Sequence, residues 1–277
     1  FAQTTRPLGA AKAISGAGGT NVGVAGSLAV NLVDTQSKAS IDASSPVAIS
    51  GGDVTISASD EAVSKVEAIP DTTGTTGKVG VGASVATNIV ANRTNATVAD
   101  GTTLTTPGSV TISAAAIRDI TTKAEAGASG GTSVTPALAL SLVNNTTTAQ
   151  LGTSDTAQQS AGDINILASQ QATEETAASG IAAGGEAAIG AAVAVALVND
   201  TVSATTLRDL NARNNVTLRS WGASLNTLEA TASASGSEAA DADGDAAAGQ
   251  DSSVDATVTS NLTHASDQQD SADVGDT

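Results

Sequence analysis

Along this chain apolar positions alternate with small or polar ones at a period of two, and one alternating block occurs four times. It reads VGVAGSLAVNLVD from Val22, VGVGASVATNIVA from Val79, VTPALALSLVNN from Val134 and IGAAVAVALVND from Ile189. Aligning Leu32, Ile89, Leu142 and Leu197 spaces the copies by 57, 53 and 55 residues, a period of about 55. Ala39, Ala96, Ala149 and Ala204 fall at the same intervals and support the register. A third block follows as GDVTISA at Gly52, GSVTISA at Gly108, GDINILA at Gly162 and NNVTLRS at Asn214, and a looser fourth block comes after it (SKVEA, TTKAEAGASG, TEETAASG, LNTLEATASASG).

Strict alternation predicts a strand for each block. In the third block Val54/Ile56, Val110/Ile112, Ile164/Ile166 and Val216/Leu218 share one face, and Thr55, Thr111, Asn165 and Thr217 share the other. The first block has one bulky face (Val24, Leu28, Val30, Leu32) and one small face (Ala25, Ser27, Ala29, Asn31), as expected of a central strand covered closely on both sides. The Ala-rich fourth copy also suits a helix, but its equivalents are rich in Gly, Val, Thr and Asn, which favours strand. Turn residues separate the blocks: DASSP, DGTTLTTPG, GTSDTAQQSAGD and DLNARNN. Four strands per repeat suggest two solenoid coils of about 27 residues each. A larger, flattened coil accommodates the long first block as well.

The reading divides the chain into 1–16 as an N-terminal arm or cap, 17–236 as repeats (17–73, 74–129, 130–182, 183–236), and 237–277 as an acidic, degenerate last repeat or tail. Composition fits closely spaced strands. Phe1 and Trp221 are the only aromatic residues among 277, so Ala, Val, Ile and Leu must fill any core; Trp221 is expected to pack or to plug a coil edge. There is no Cys, which excludes a disulfide scaffold or thiolate metal site. A net charge of −17 argues against nucleic acid as a partner. The most apolar stretch, Ile181 to Val198, is interrupted by Gly and Glu186 and is not read as a membrane span. The chain opens on Phe1 rather than Met and is expected to be a processed or excised piece whose signal peptide is gone.

GASVATNIVANRTNATVADG, followed by a turn and GSVTISA, resembles the degenerate repeats of giant exported bacterial surface proteins of the filamentous haemagglutinin, autotransporter adhesin and leukotoxin type. The resemblance spans residues 17 to about 236. It implies an all-β fold, a right-handed parallel β-helix or β-solenoid of about four 55-residue repeats. It also implies an extracellular or cell-surface location and a role as stalk, adhesin or matrix fibre. End coils of such arrays expose unpaired backbone, so the expected partners are further copies stacked end to end or the continuation of a longer fibre, together with a glycan or host-surface ligand.

Candidate chemistry is sparse, and the expectation is a non-catalytic protein that requires no cofactor. The sole histidine, His264, lies in the acidic tail without an apolar block around it, a poor setting for a nucleophile's base. Polysaccharide lyases use β-helices, but no Lys or Arg stands between Lys123 and Arg208 to neutralise an acidic substrate. Residues 237–277 hold ten of the 28 acids and no Lys or Arg. Within them Asp241, Asp243 and Asp245 have the alternation of a calcium loop, a weak calcium candidate lacking Gly at the sixth position and Glu at the twelfth. The alternative function is accordingly a calcium-dependent or carbohydrate-active β-helix module, polysaccharide-binding or lyase-like.

Overall fold

The structure is a computed structural model that describes residues 1–16, 20–42, 47–70 and 77–236. The described residues form eleven strands and no helix: β1 (Ala2–Ser15), β2 (Val22–Ile41), β3 (Val47–Ala48), β4 (Val54–Pro70), β5 (Gly77–Val98), β6 (Leu104–Thr106), β7 (Val110–Leu151), β8 (Gln158–Ser160), β9 (Ile164–Thr206), β10 (Leu210–Ala212) and β11 (Val216–Gly236). Every pairing is parallel. Ile181 to Val198 lie within β9, and no helix among the described residues is long and apolar enough to cross a membrane.

The pairing follows the repeat. Leu32 pairs with Ile89, Ile89 with Leu142 and Leu142 with Leu197, and the alanine column from Ala39 to Ala204 pairs likewise. Val54, Val110, Ile164 and Val216 form a third column. Hydrogen-bonded neighbours are thus one whole repeat apart, and each repeat supplies one rung. Two coils of about 27 residues per repeat are excluded, because contacts at roughly half the repeat run between side chains that face one another. Ser64 Oγ, for example, donates to Asn88 Oδ1 at 2.9 Å.

Each rung has two long arms. The leading arms are β1, β4, residues 110–126 of β7, residues 164–183 of β9, and β11. The trailing arms are β2, β5, residues 132–151 of β7 and residues 187–206 of β9. In β7 and β9 one strand supplies both, bending where the register shifts between Gly130 and Thr132. The segments expected to be plain turns also hold strands: β3, β6, β8 and β10 form a second small sheet in the order β10-β8-β6-β3. These strands of two or three residues are too short to show periodicity. Gly52, at φ 83°, takes a left-handed turn just before β4 that other residues rarely adopt. Residues 1–16, set apart in the sequence, form β1, which pairs with β4 from Ala2↔Ala58 to Ser15↔Pro70.

The space between the arms is wedge-shaped. At the end nearest the small sheet it holds large side chains, including Ile56, Val98, Leu104, Ile112, Leu151 and Ile166. Towards the bend it narrows to Ala86, Ala124, Ala126, Ala137 and Ala139, and beyond these to glycine. A Cβ at Gly82 would sit 2.3 Å from the Gly127 carbonyl oxygen, and one at Gly180 equally close to that of Ala191. Here the arms meet backbone to backbone.

That narrowness settles which face of the trailing arm is inside, and it corrects the expectation of a strand covered on both faces. The small face, with Ser84, Ala86 and Asn88, is buried. The bulky face points outward, leaving Val24, Leu28 and Leu32 exposed at 68%, 66% and 76%. Burial of apolar area favours the opposite choice, but Val and Leu have no room in a gap that excludes even a methyl group at Gly82.

Candidate functional site

Polar side chains inside the wedge stack from rung to rung. Thr35, Asn92, Asn145 and Asp200 occupy one register column. Asn92 Nδ2 donates to Asn145 Oδ1 at 2.8 Å, and Asn145 Nδ2 donates to Asp200 Oδ1 at 2.8 Å. Gln170 Nε2 and Ser224 Oγ, from leading arms, also donate to Asp200, at 3.0 and 2.7 Å. A parallel set links Asn31, Asn88 and Ser64. Asn92 and Asn145 each accept from one neighbour in the column and donate to the next, whereas Asn88 accepts through Oδ1 and its buried Nδ2 has no partner.

Three ionisable groups, Asp60, Arg118 and Glu174, are enclosed in the same interior. Arg118 forms an ion pair with Asp60 on the preceding rung, neither side chain having any exposure, and donates to Thr94 Oγ1 at 2.8 Å. Burial outweighs the pairing, pushing Asp60 up and Arg118 down from their ordinary values. Glu174 is pushed up from 4.5 to about 7, mainly by burial and secondarily by the Asp200 charge. A carboxyl tuned near neutrality often marks an acid–base site. Here the group is 3% exposed, and its Oε1 accepts a long hydrogen bond from Asn145. Enclosure accounts for the shift, and the role it supports is structural.

On the outer face of the leading arms lies a groove of about 370 Å³, lined among others by Gln3, Ser59, Glu61, Ala115, Ile117, Ser169, Gln171 and Trp221. Ser59, Ala115, Ser169 and Trp221 are register partners, so the groove runs across the rungs along a column of small residues and ends at the indole. Trp221 is 47% exposed on β11, the last strand of the ladder among the described residues, so it does not pack inside. The signal for the groove was present as small outward residues recurring at the repeat spacing. The column Thr55, Thr111, Asn165 and Thr217 also forms on this outer face.

Asp241, Asp243 and Asp245, the calcium candidates, lie outside the described residues, as does His264. Among the described residues there is no group of three or more His, Cys, Asp or Glu side chains arranged to hold a metal ion. Neither a family model, nor a curated protein, nor a solved structure matches this chain.

Proposed function

We propose that this chain is a non-catalytic structural segment of an exported bacterial surface fibre, an adhesin stalk or matrix filament built as a right-handed parallel β-solenoid. The observation that carries the reading is the repeat-by-repeat register of successive rungs, with no further strand paired beyond either limit of the ladder among the described residues. β1 and β2 end the strand order on one side, and every residue of β11, which pairs with β9, is exposed on the other. Five leading arms at ~4.8 Å spacing span only about 24 Å, whereas an arm of 20 residues runs roughly 65 Å. The described rungs by themselves are therefore broader along their arms than along their stack, and length comes from adding rungs end to end, either from further copies or from a longer chain. Interior side chains that bond from rung to rung, as Asn92 to Asn145 and Asn145 to Asp200, support a mechanical role at the cell exterior.

Electron microscopy and fibre diffraction test the reading. The expected result is stacks that lengthen with protein concentration and give a ~4.8 Å reflection along the stack. Single copies at every concentration, or turnover of an acidic glycan, would overturn it.

The second reading, a polysaccharide-binding module, is favoured by the groove ending at Trp221. Its expected signature is a fluorescence change of this single indole on titration with acidic or neutral glycans, abolished in Trp221→Ala. A flat titration across both glycan classes removes the reading.

A further inference from the structure

We infer that the apolar outer face of the trailing arms is covered by the same face of a second copy of this chain, side against side. The face is continuous across four rungs. Leu28, Val85, Leu138 and Val193 make one register column and Leu32, Ile89, Leu142 and Leu197 another, with Val30, Thr87, Leu140 and Val195 between them and Val24, Val81, Val134 and Ile189 nearer the bend. Four strands at ~4.8 Å and eleven residues at ~3.3 Å give roughly 650 Å², beyond the largest apolar patch of a typical soluble monomer. Two such faces in contact remove about 1,300 Å² from water, more than the ~1,000 Å² expected of a specific interface.

Charge selects the occupant. The chain carries −17 overall, yet the outward positions of the trailing arms hold charge only at Asp34, Lys38 and Arg93. All three lie past the apolar block, and Arg93 is bound to Asp34 at 2.7 Å. The outer face of the leading arms carries the ions instead, including Lys65 with Glu67 and Lys123 with Glu175 at 2.7 and 2.8 Å. Two copies therefore meet across a neutral surface while their charged faces stay in water. A bilayer is disfavoured because the patch has no interfacial Trp or Tyr. Flat sheet faces of Val and Leu without rings mate readily by stacking about 10 Å apart, and a two-fold axis pairs each column with its equivalent. This contact widens an assembly, whereas stacking rungs lengthens it, so each can fail without the other.

The test uses the full chain in analytical ultracentrifugation with electron microscopy. The wild type is expected to form particles of double width. Leu138→Lys with Val193→Lys should weaken lateral association at least tenfold while the circular dichroism stays that of the wild type and stack length is unaffected. Ile117→Lys with Leu225→Lys, exposed on the leading arms, adds the same charge and should leave the width unchanged. Mixing the lysine variant with Leu138→Glu/Val193→Glu should restore pairing. Single-width wild-type particles, equal loss in both lysine variants, or a monomer that instead binds neutral lipid vesicles through this face would overturn the inference.

Discussion

Asn92 hands a hydrogen bond to Asn145 across 2.8 Å, from one rung to the next, in an interior where both side chains are sealed from water. Asn145 then donates to Asp200, so one residue couples three rungs. Replacing it with Leu strands the Asn92 Nδ2 donor and removes one of the bonds to the Asp200 carboxylate. The expected cost is about 2–4 kcal/mol, since buried groups that lose a partner bear their full desolvation. Its neighbour Asn144 faces outward and bonds Asn199 at 3.2 Å in an exposed setting. Asn144→Ala should stay within roughly 0.5 kcal/mol of the wild type. Urea midpoints of the two variants provide the comparison; equal midpoints would show that the ladder contributes nothing.

The enclosed ion pair makes a different prediction. Asp60→Ala leaves the Arg118 guanidinium buried with Thr94 as a polar contact, and should cost about 3–5 kcal/mol. Removing both charges, as Asp60→Ala with Arg118→Met, should recover most of that loss, because two costly desolvations disappear together. A double variant no better than the single one would mean the pair contributes net stability.

Glu174 sets a pH dependence near neutrality. Its folded pKa of about 7 lies above the ordinary 4.5, so between those values the folded state holds a proton that the unfolded chain has released. Stability from this group is therefore full below about pH 4.5 and falls as pH rises towards 7, by roughly 3 kcal/mol at most. The lowered values of Glu67, held by Lys65, and of Asp100, held by the Thr153 backbone amide, act in the opposite sense, with stability lost as pH falls below the ordinary carboxylate range. Melting temperatures measured from pH 5 to pH 8 should decline in the wild type and stay nearly level in Glu174→Gln. Parallel profiles would place the titration elsewhere.

The narrow end of the wedge predicts an asymmetry among glycines. Gly82→Val must displace the Gly127 backbone, 2.3 Å from the new Cβ, and should cost about 3 kcal/mol or more. Gly26→Ala, whose Cβ would lie 4.0 Å from the Ala83 oxygen, should be tolerated. Thermal melts of the two variants decide whether the arms meet as closely as described.

Much of this architecture was legible in the sequence. The register of Leu32, Ile89, Leu142 and Leu197, and that of Val54, Val110, Ile164 and Val216, emerged from spacing alone because a parallel ladder stacks equivalent residues. The inside of the trailing arm was not legible. Alternation identifies two faces, but which one is buried depends on the width of the gap, and that is set by Gly82 meeting Gly127 across the rung. The first rung was hidden for a related reason. β1 shares a backbone register with β4 without sharing its sequence, for instance Lys12 opposite Glu67. The groove escaped notice because a column of Ser59, Ala115 and Ser169 becomes a channel only when larger residues flank it on neighbouring columns.

Although the apolar core is nearly the same in every repeat, Asp60, Arg118, Gln170 and Glu174 each occur at one level only. A slip by a whole repeat would keep the hydrophobic pattern intact, yet it would take Asp60 from Arg118 and offer a register equivalent such as Gln170 in its place. The interior charges thus act as a serial number, giving otherwise interchangeable layers a fixed order.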